Sequence, residues 1–205
     1  MFKQILLSST ALLLVSGCAT KEPTPSQALP QPQMVYVAPV PLASATFAGE
    51  TLTATPQVSR LVQKIKALST QTAYLELRGD QNVEVGNFLN IKALSNKNGY
   101  LKVMIIDPNG ERNLLLPNSV HNGYLEANQR FYSNNADFSL KATKPTGLHY
   151  VVVIFSEQNA RMVMQQGTNG YNAINDDQAL LNLLTNIKNQ NYGKSHISIF
   201  PLRIY

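Results

Sequence analysis

Between Ala73 and Ser156 the chain carries a series of short apolar runs rather than one long one. Tyr74-Leu75-Glu76-Leu77, Phe88-Leu89-Asn90-Ile91, Tyr100 to Ile106, Leu114-Leu115-Leu116, Phe138-Ser139-Leu140 and His149 to Phe155 each read as a strand. Among them stand Asn98-Gly99, Asn109-Gly110 and Asn122-Gly123, dipeptides whose tolerance of positive φ makes them strong hairpin signals. Short strands with a turn signal about every ten residues predict an antiparallel sandwich or barrel. The expected fold class is mainly β, within α+β: a sandwich-like domain with flanking helices.

Helical periodicity brackets the strand region. Thr55-Pro56 supplies an N-cap and a proline at the first helical position. Val58, Leu61, Val62, Ile65 and Leu68 then mark one helix face. A second helix is expected after Asn175-Asp176-Asp177-Gln178, which resembles a capping box. Ala179, Leu180, Leu183, Leu184 and Ile187 are its apolar stripe. The chain closes on Ile197, Ile199, Leu202 and Ile204, a strand whose Pro201 predicts a bulge or an edge position.

The amino terminus reads as an address. A positive start, Met1-Phe2-Lys3, precedes an apolar stretch from Ile5 to Val15 and small residues at Ser16 and Gly17, the anatomy of a secretory signal. Val15-Ser16-Gly17-Cys18 resembles a bacterial lipobox, which implies cleavage between Gly17 and Cys18 and lipidation of the Cys18 sulfur. Two or more acyl chains make membrane anchoring stable. Ala19 stands where an aspartate would resemble an inner-membrane retention signal, so the expected location is the outer membrane facing the periplasm, with the cell surface as the alternative. Pro23, Pro25, Pro30, Pro32, Pro39 and Pro41 follow, a density that favours extended chain. The expected division is therefore signal 1–17, lipidated cysteine and tether 18–55, and folded domain 56–205.

Composition narrows the chemistry. Of the 205 residues 44% are hydrophobic and 14% charged, against roughly 25% charged in an average soluble protein, so the chain can build a core. No apolar run reaches the roughly 18 residues of a membrane helix. The single cysteine excludes a disulfide framework and a cysteine-based zinc site. The net charge of +5 comes from dispersed lysines and arginines, a pattern that argues against a nucleic-acid partner.

The order Val85 to Ile91, Asn98-Gly99-Tyr100-Leu101, Ile106-Asp107-Pro108-Asn109-Gly110, Leu116-Pro117-Asn118, Pro145-Thr146-Gly147 and Val151 to Glu157 resembles the bacterial domain of unknown function 4384. The resemblance spans about 85–157 and departs after Gly123, where Ala127-Asn128 stands in place of an Ala-Gly pair. It implies a β-sandwich-type module in an accessory or binding role, with no catalytic residues to carry over. Gly99, Tyr100, Pro117, Asn118, Pro145 and Gly147 are its candidate motif residues, and their chemistry is structural: an aromatic cover, a strand stop and a positive-φ corner.

No motif of catalysis stands out. His121, His149 and His196 have no second ligand at metal spacing, and no nucleophile elbow is present. Gly193-Lys194-Ser195 resembles the tail of a phosphate loop, but Lys188 occupies the place of its upstream glycine. The expectation is a non-enzymatic, cofactor-free interaction module, held at the membrane through Cys18 and docked on an envelope complex such as a secretion apparatus. The alternatives are a ligand or polysaccharide binder using Tyr124, Tyr132 and Tyr171, and a cell-wall hydrolase using Asp107, Glu111 and His121.

Overall fold

Nine of the ten residues in the strand Gly147–Ser156 are buried. A strand hidden on both faces must lie inside a sheet with a layer on each side. The computed structural model describes residues 41–72, 74–135, 139–160, 165–166, 172–174, 176–190 and 194–205. The signal, Cys18 and the proline-rich chain to residue 40 lie outside them, as do Phe138, Tyr171 and Asn175.

The chain begins with β1 (Ser44–Phe47), β2 (Glu50–Thr53), α1 (Pro56–Leu68), β3 (Leu75–Gly79) and β4 (Asn82–Val83). There follow β5 (Ile91–Ser95), β6 (Gly99–Ile106), β7 (Arg112–Leu116), β8 (Tyr124–Leu125) and β9 (Arg130–Tyr132). The last elements are β10 (Gly147–Ser156), β11 (Gln165–Gln166), β12 (Asn172–Ala173), α2 (Asp177–Gln190) and β13 (His196–Ile204). An eight-stranded sheet runs β11-β12-β7-β6-β10-β13-β4, with β8 also on β6. Its pairings are antiparallel except β13 with β4. A three-stranded sheet, β3-β5-β9, and the hairpin β1-β2 complete the fold.

Alternation along the central strands sorts two cores. Met104 and Ile106 of β6, Tyr150, Val152 and Ile154 of β10, and Ile197 of β13 meet α1, α2 and Phe47 of the hairpin. Leu101 and Val103, Val151, Val153 and Phe155, and Leu202 and Ile204 meet the three-stranded sheet through Leu75, Ile91, Ala93 and Phe131. The result is a β-rich α+β sandwich with a helical layer on its outer side. At about 25 cal/mol per Å² of apolar surface removed from water, these two cores drive the folding.

α1 forms where its sequence predicts. The Thr55 side chain accepts from Val58 N at 3.4 Å and Pro56 opens the helix. Val58, Leu61, Val62 and Ile65 are buried, and the polar face is wet.

Several expectations are corrected. The folded region starts before Pro56: Phe47 is buried in the helical-side core, Ala43 N donates to Ser59 Oγ, and Arg203 pairs with Glu50. One large apolar side chain and two polar ties to the domain make the hairpin part of the fold. The strand expected at Phe88–Ile91 lies at Ile91–Ser95, and Phe88 keeps only a bridge to Lys141. Asn98-Gly99 closes no hairpin, because β5 and β6 belong to different sheets. The cap of α2 falls one residue late: Asp176 Oδ1 accepts from Gln178 N, and Gln178 reaches forward to Asn182. Ala179 is exposed, and Leu181 takes its place in the buried stripe. Of the two alternatives expected at Pro201 the edge position holds: the β10–β13 register runs past it without a bulge, and on its other side β4 meets β13 only at Arg203 and Ile204.

Candidate functional site: a cleft over the central sheet

The β6–β7 hairpin builds one end of the site. Gly110 adopts φ +91°, as the Asn-Gly signal requires. Asp107 Oδ1 accepts from Asn109 N at 2.9 Å and Glu111 N at 2.8 Å, and Asp107 N donates to the Glu111 carbonyl. The carboxylate therefore organises the turn as an Asx motif.

Beside this turn the three-stranded sheet stops short, leaving a cleft of about 270 Å³ over the central sheet. Strand alternation brings Ile105, Leu115, His149 and Leu202 to its floor, and the 140–145 segment forms a wall carrying Lys141 and Lys144. Lys141 Nζ stands 5.4 Å from the Phe88 ring centre, a cation–π contact. Asn113 lines the cleft, and its buried Oδ1 has no hydrogen-bond partner among the described residues. His149 is 2% exposed, with Nδ1 3.1 Å from the Gly147 carbonyl. Burial pushes its ring below the ordinary histidine range; the Gly147 carbonyl and the Asp107 charge oppose this. The ring is therefore held neutral at pH 7.

Of the residues singled out for catalysis, Asp107 and Glu111 line the cleft and His121 does not. His121 Nδ1 accepts from Gly123 N in the loop before β8, and its ring stands edge-on to Phe131 at 5.5 Å. His196 pairs with Phe155 while His149 pairs with Leu202. Six residues of β10 thus separate the two rings, about 20 Å of strand. Among the described residues no three His, Cys, Asp or Glu side chains group as a metal site, and no helix is long and apolar enough to cross a membrane.

The motif residues serve the scaffold. A Cβ on Gly99 would lie 2.5 Å from Phe155 Cζ and 2.8 Å from the Ser156 carbonyl, so that glycine is required by close approach of strands. Tyr100 packs on Tyr124 at 5.2 Å, with Lys102 Nζ near its ring. Pro117 follows a cis peptide, and Asn118 Oδ1 accepts from Val120 N and His121 N. Pro145 also follows a cis peptide; Gly147 turns the chain at φ +125° against Pro108. Sequence reasoning missed the cleft residues Asn113, Lys141, Lys144 and His149. Alternation marks His149 as sharing a face with Val151, but only the fold sets the lysines opposite it.

Fold and cleft together define a β-rich sandwich module with an open cleft over its central sheet. Within the chain, residues 82–159 match the family model of a domain of unknown function, DUF4384. The match runs from β4 to just past β10 and takes in the whole hairpin, Lys141, Lys144 and His149; both helices and β13 lie outside it. Two solved structures are distantly similar. One is a superoxide reductase (neelaredoxin) from Ignicoccus hospitalis, 10% identical over 69% of this chain and 86% of that one, TM-score 0.33. The other is the sulfur carrier protein SoxY from Chlorobium limicola f thiosulfatophilum, 10% identical over 73% and 96%, TM-score 0.29. No curated protein matches the chain.

Proposed function

We propose that this chain is a lipid-anchored accessory module of a bacterial cell envelope, one that binds a multi-protein complex such as a secretion apparatus and performs no chemistry on it. The observation that carries this reading is the engagement of Asp107 and His149 in the cleft. Asp107 already accepts from two backbone amides, and His149 already meets the Gly147 carbonyl. Both side chains hold strand ends in place, which suits a rigid docking module. Lipidation at Cys18 would place that module at the outer membrane, facing the periplasm, and the proline-rich segment would let it reach a partner.

Recovery of partners from crosslinked envelopes tests the reading with three chains: wild type, Cys18→Ser, and a version ending at Pro41. Wild type should recover the complex. Cys18→Ser should take up no labelled fatty acid, accumulate as precursor and lose the complex. Equal recovery by the version ending at Pro41 would refute docking through the sandwich.

The cleft itself favours a second reading, a small-ligand binder. Lys141 and Lys144 suit an anionic group, and the unpartnered Asn113 Oδ1 suits a hydrogen-bond donor.

A further inference from the structure

The three-stranded sheet has an outer face that the core does not use. Its register sets Arg78 of β3 beside Lys92 of β5, and Lys92 beside Tyr132 of β9. The next row on the same face runs Glu76, Leu94, Arg130. These six side chains line a shallow groove of about 310 Å³. Arg78, Lys92, Arg130 and Tyr132 are all exposed, and Lys92 Nζ lies 5.9 Å from the Tyr132 ring centre. Among the described residues none of the three cations joins an ion pair. Same-face neighbours lie about 7 Å apart along a strand and about 4.8 Å across strands, so three cations and one aromatic ring share a patch roughly 10 Å wide.

We propose that this face binds an anionic polysaccharide chain. Arginine guanidinium groups match carboxylate or phosphate substituents with paired donors, and lysine adds a point charge. The exposed Tyr132 ring offers a flat apolar surface on which a sugar ring can lie, with its hydroxyl left in water. The groove crosses the strands, so a linear polymer can follow the row Arg78, Lys92, Tyr132. Charge complementarity selects the occupant, since the face holds three cations and the single carboxylate of Glu76. A bilayer surface fits less well, because among the described residues the face offers only Leu94 and Tyr132 as large apolar groups to insert. The site shares no residue with the cleft over the central sheet, and it does not depend on the docking role proposed above.

Full-length chain immobilised on a sensor tests the proposal, with polygalacturonate as the probe and dextran, polyglutamate and phosphatidylglycerol vesicles as comparisons. Polygalacturonate should bind at about 0.1 M salt and weaken as salt rises, and dextran should not bind. Arg78→Ser, Lys92→Ser, Arg130→Ser and Tyr132→Ser should each lose affinity, the two arginine variants by about tenfold. Lys64→Ser, an exposed charge on α1, should bind as wild type does. Glu76→Gln should bind more tightly, a gain that misfolding cannot produce. Equal weakening by Lys64→Ser would reduce the effect to net charge and overturn the proposal. Polyglutamate or vesicles binding as tightly as polygalacturonate, or no polygalacturonate binding at all, would overturn it as well.

Discussion

A Cβ at Gly123 would lie 2.3 Å from the Leu101 carbonyl oxygen, at a backbone φ of +82°. Leu101 N also donates to the Gly123 carbonyl, so the two backbones are held together and neither can give way. Gly123→Ala should therefore destabilise the protein by about 3 kcal/mol, combining backbone strain with a steric clash. The check is the urea midpoint, which should fall with an unchanged slope; an unmoved midpoint would show that the loop adapts. The buried histidines set a pH response at the same scale. Burial lowers the pKa of His149 and His196, and neither ring nitrogen of His196 has a partner among the described residues. Below the ordinary histidine value of about 6.5 the unfolded chain takes up protons that the folded chain resists. The stability held by the neutral rings is thus complete above that pH and is lost as pH falls toward the depressed folded values. Denaturation at pH 7.5 and 5.5 should show weaker folding at the lower pH, and His196→Leu should show a smaller difference between the two. An equal difference in both proteins would remove His196 from the account.

At the scale of elements, Arg112 joins β7 to the start of α2. Its Nε donates to the Ile174 carbonyl and its Nη1 to Asp177 Oδ1, while Ile174 N donates back to the Arg112 carbonyl. Asp177 also complements the positive end of the α2 dipole. Arg112→Met keeps the apolar stem but removes both charged contacts, at a cost of about 1–3 kcal/mol. Hydrogen exchange should then accelerate in α2 before it does in β10, because the helix loses its attachment while the central strand keeps both cores. Unchanged protection of α2 would contradict that role. The contrast between α1 and the hairpin β1-β2 explains what is legible at this scale. α1 is readable because its cap, its proline and four buried apolar residues repeat one local rule. The hairpin buries only Phe47 of its eight strand residues, a single apolar signal beside a proline-rich segment, so it reads as tether. The strand lies at Ile91–Ser95, later than the local pattern predicts, for a related reason. Phe88 looks like a core residue but is 41% exposed, and its ring packs under Lys141 instead of in either core.

For the whole molecule, local pattern carries far because two periods dominate it. Period 3.6 marks both helices, and period 2 with Asn-Gly turns marks a β-rich middle and places the Asp107–Glu111 hairpin. The ordered motifs between Val85 and Glu157 point to the same module that the family match at 82–159 covers. Each of these signals is written within a few residues of itself, so the sequence alone determines them. Partnership between distant strands is not written that way. Asn98-Gly99 has the residues of a hairpin, yet it joins two different sheets, and its glycine answers to Phe155 and Ser156 across the pleat. The cleft needs β6 beside β10 and β10 beside β13, with the 140–145 segment folded back above them. The basic outer face likewise needs β3 and β9 on either side of β5. Only the tertiary structure decided these, because burying both faces of the central sheet depends on the summed surface of many strands. No single segment carries enough of that surface to fix its own partner.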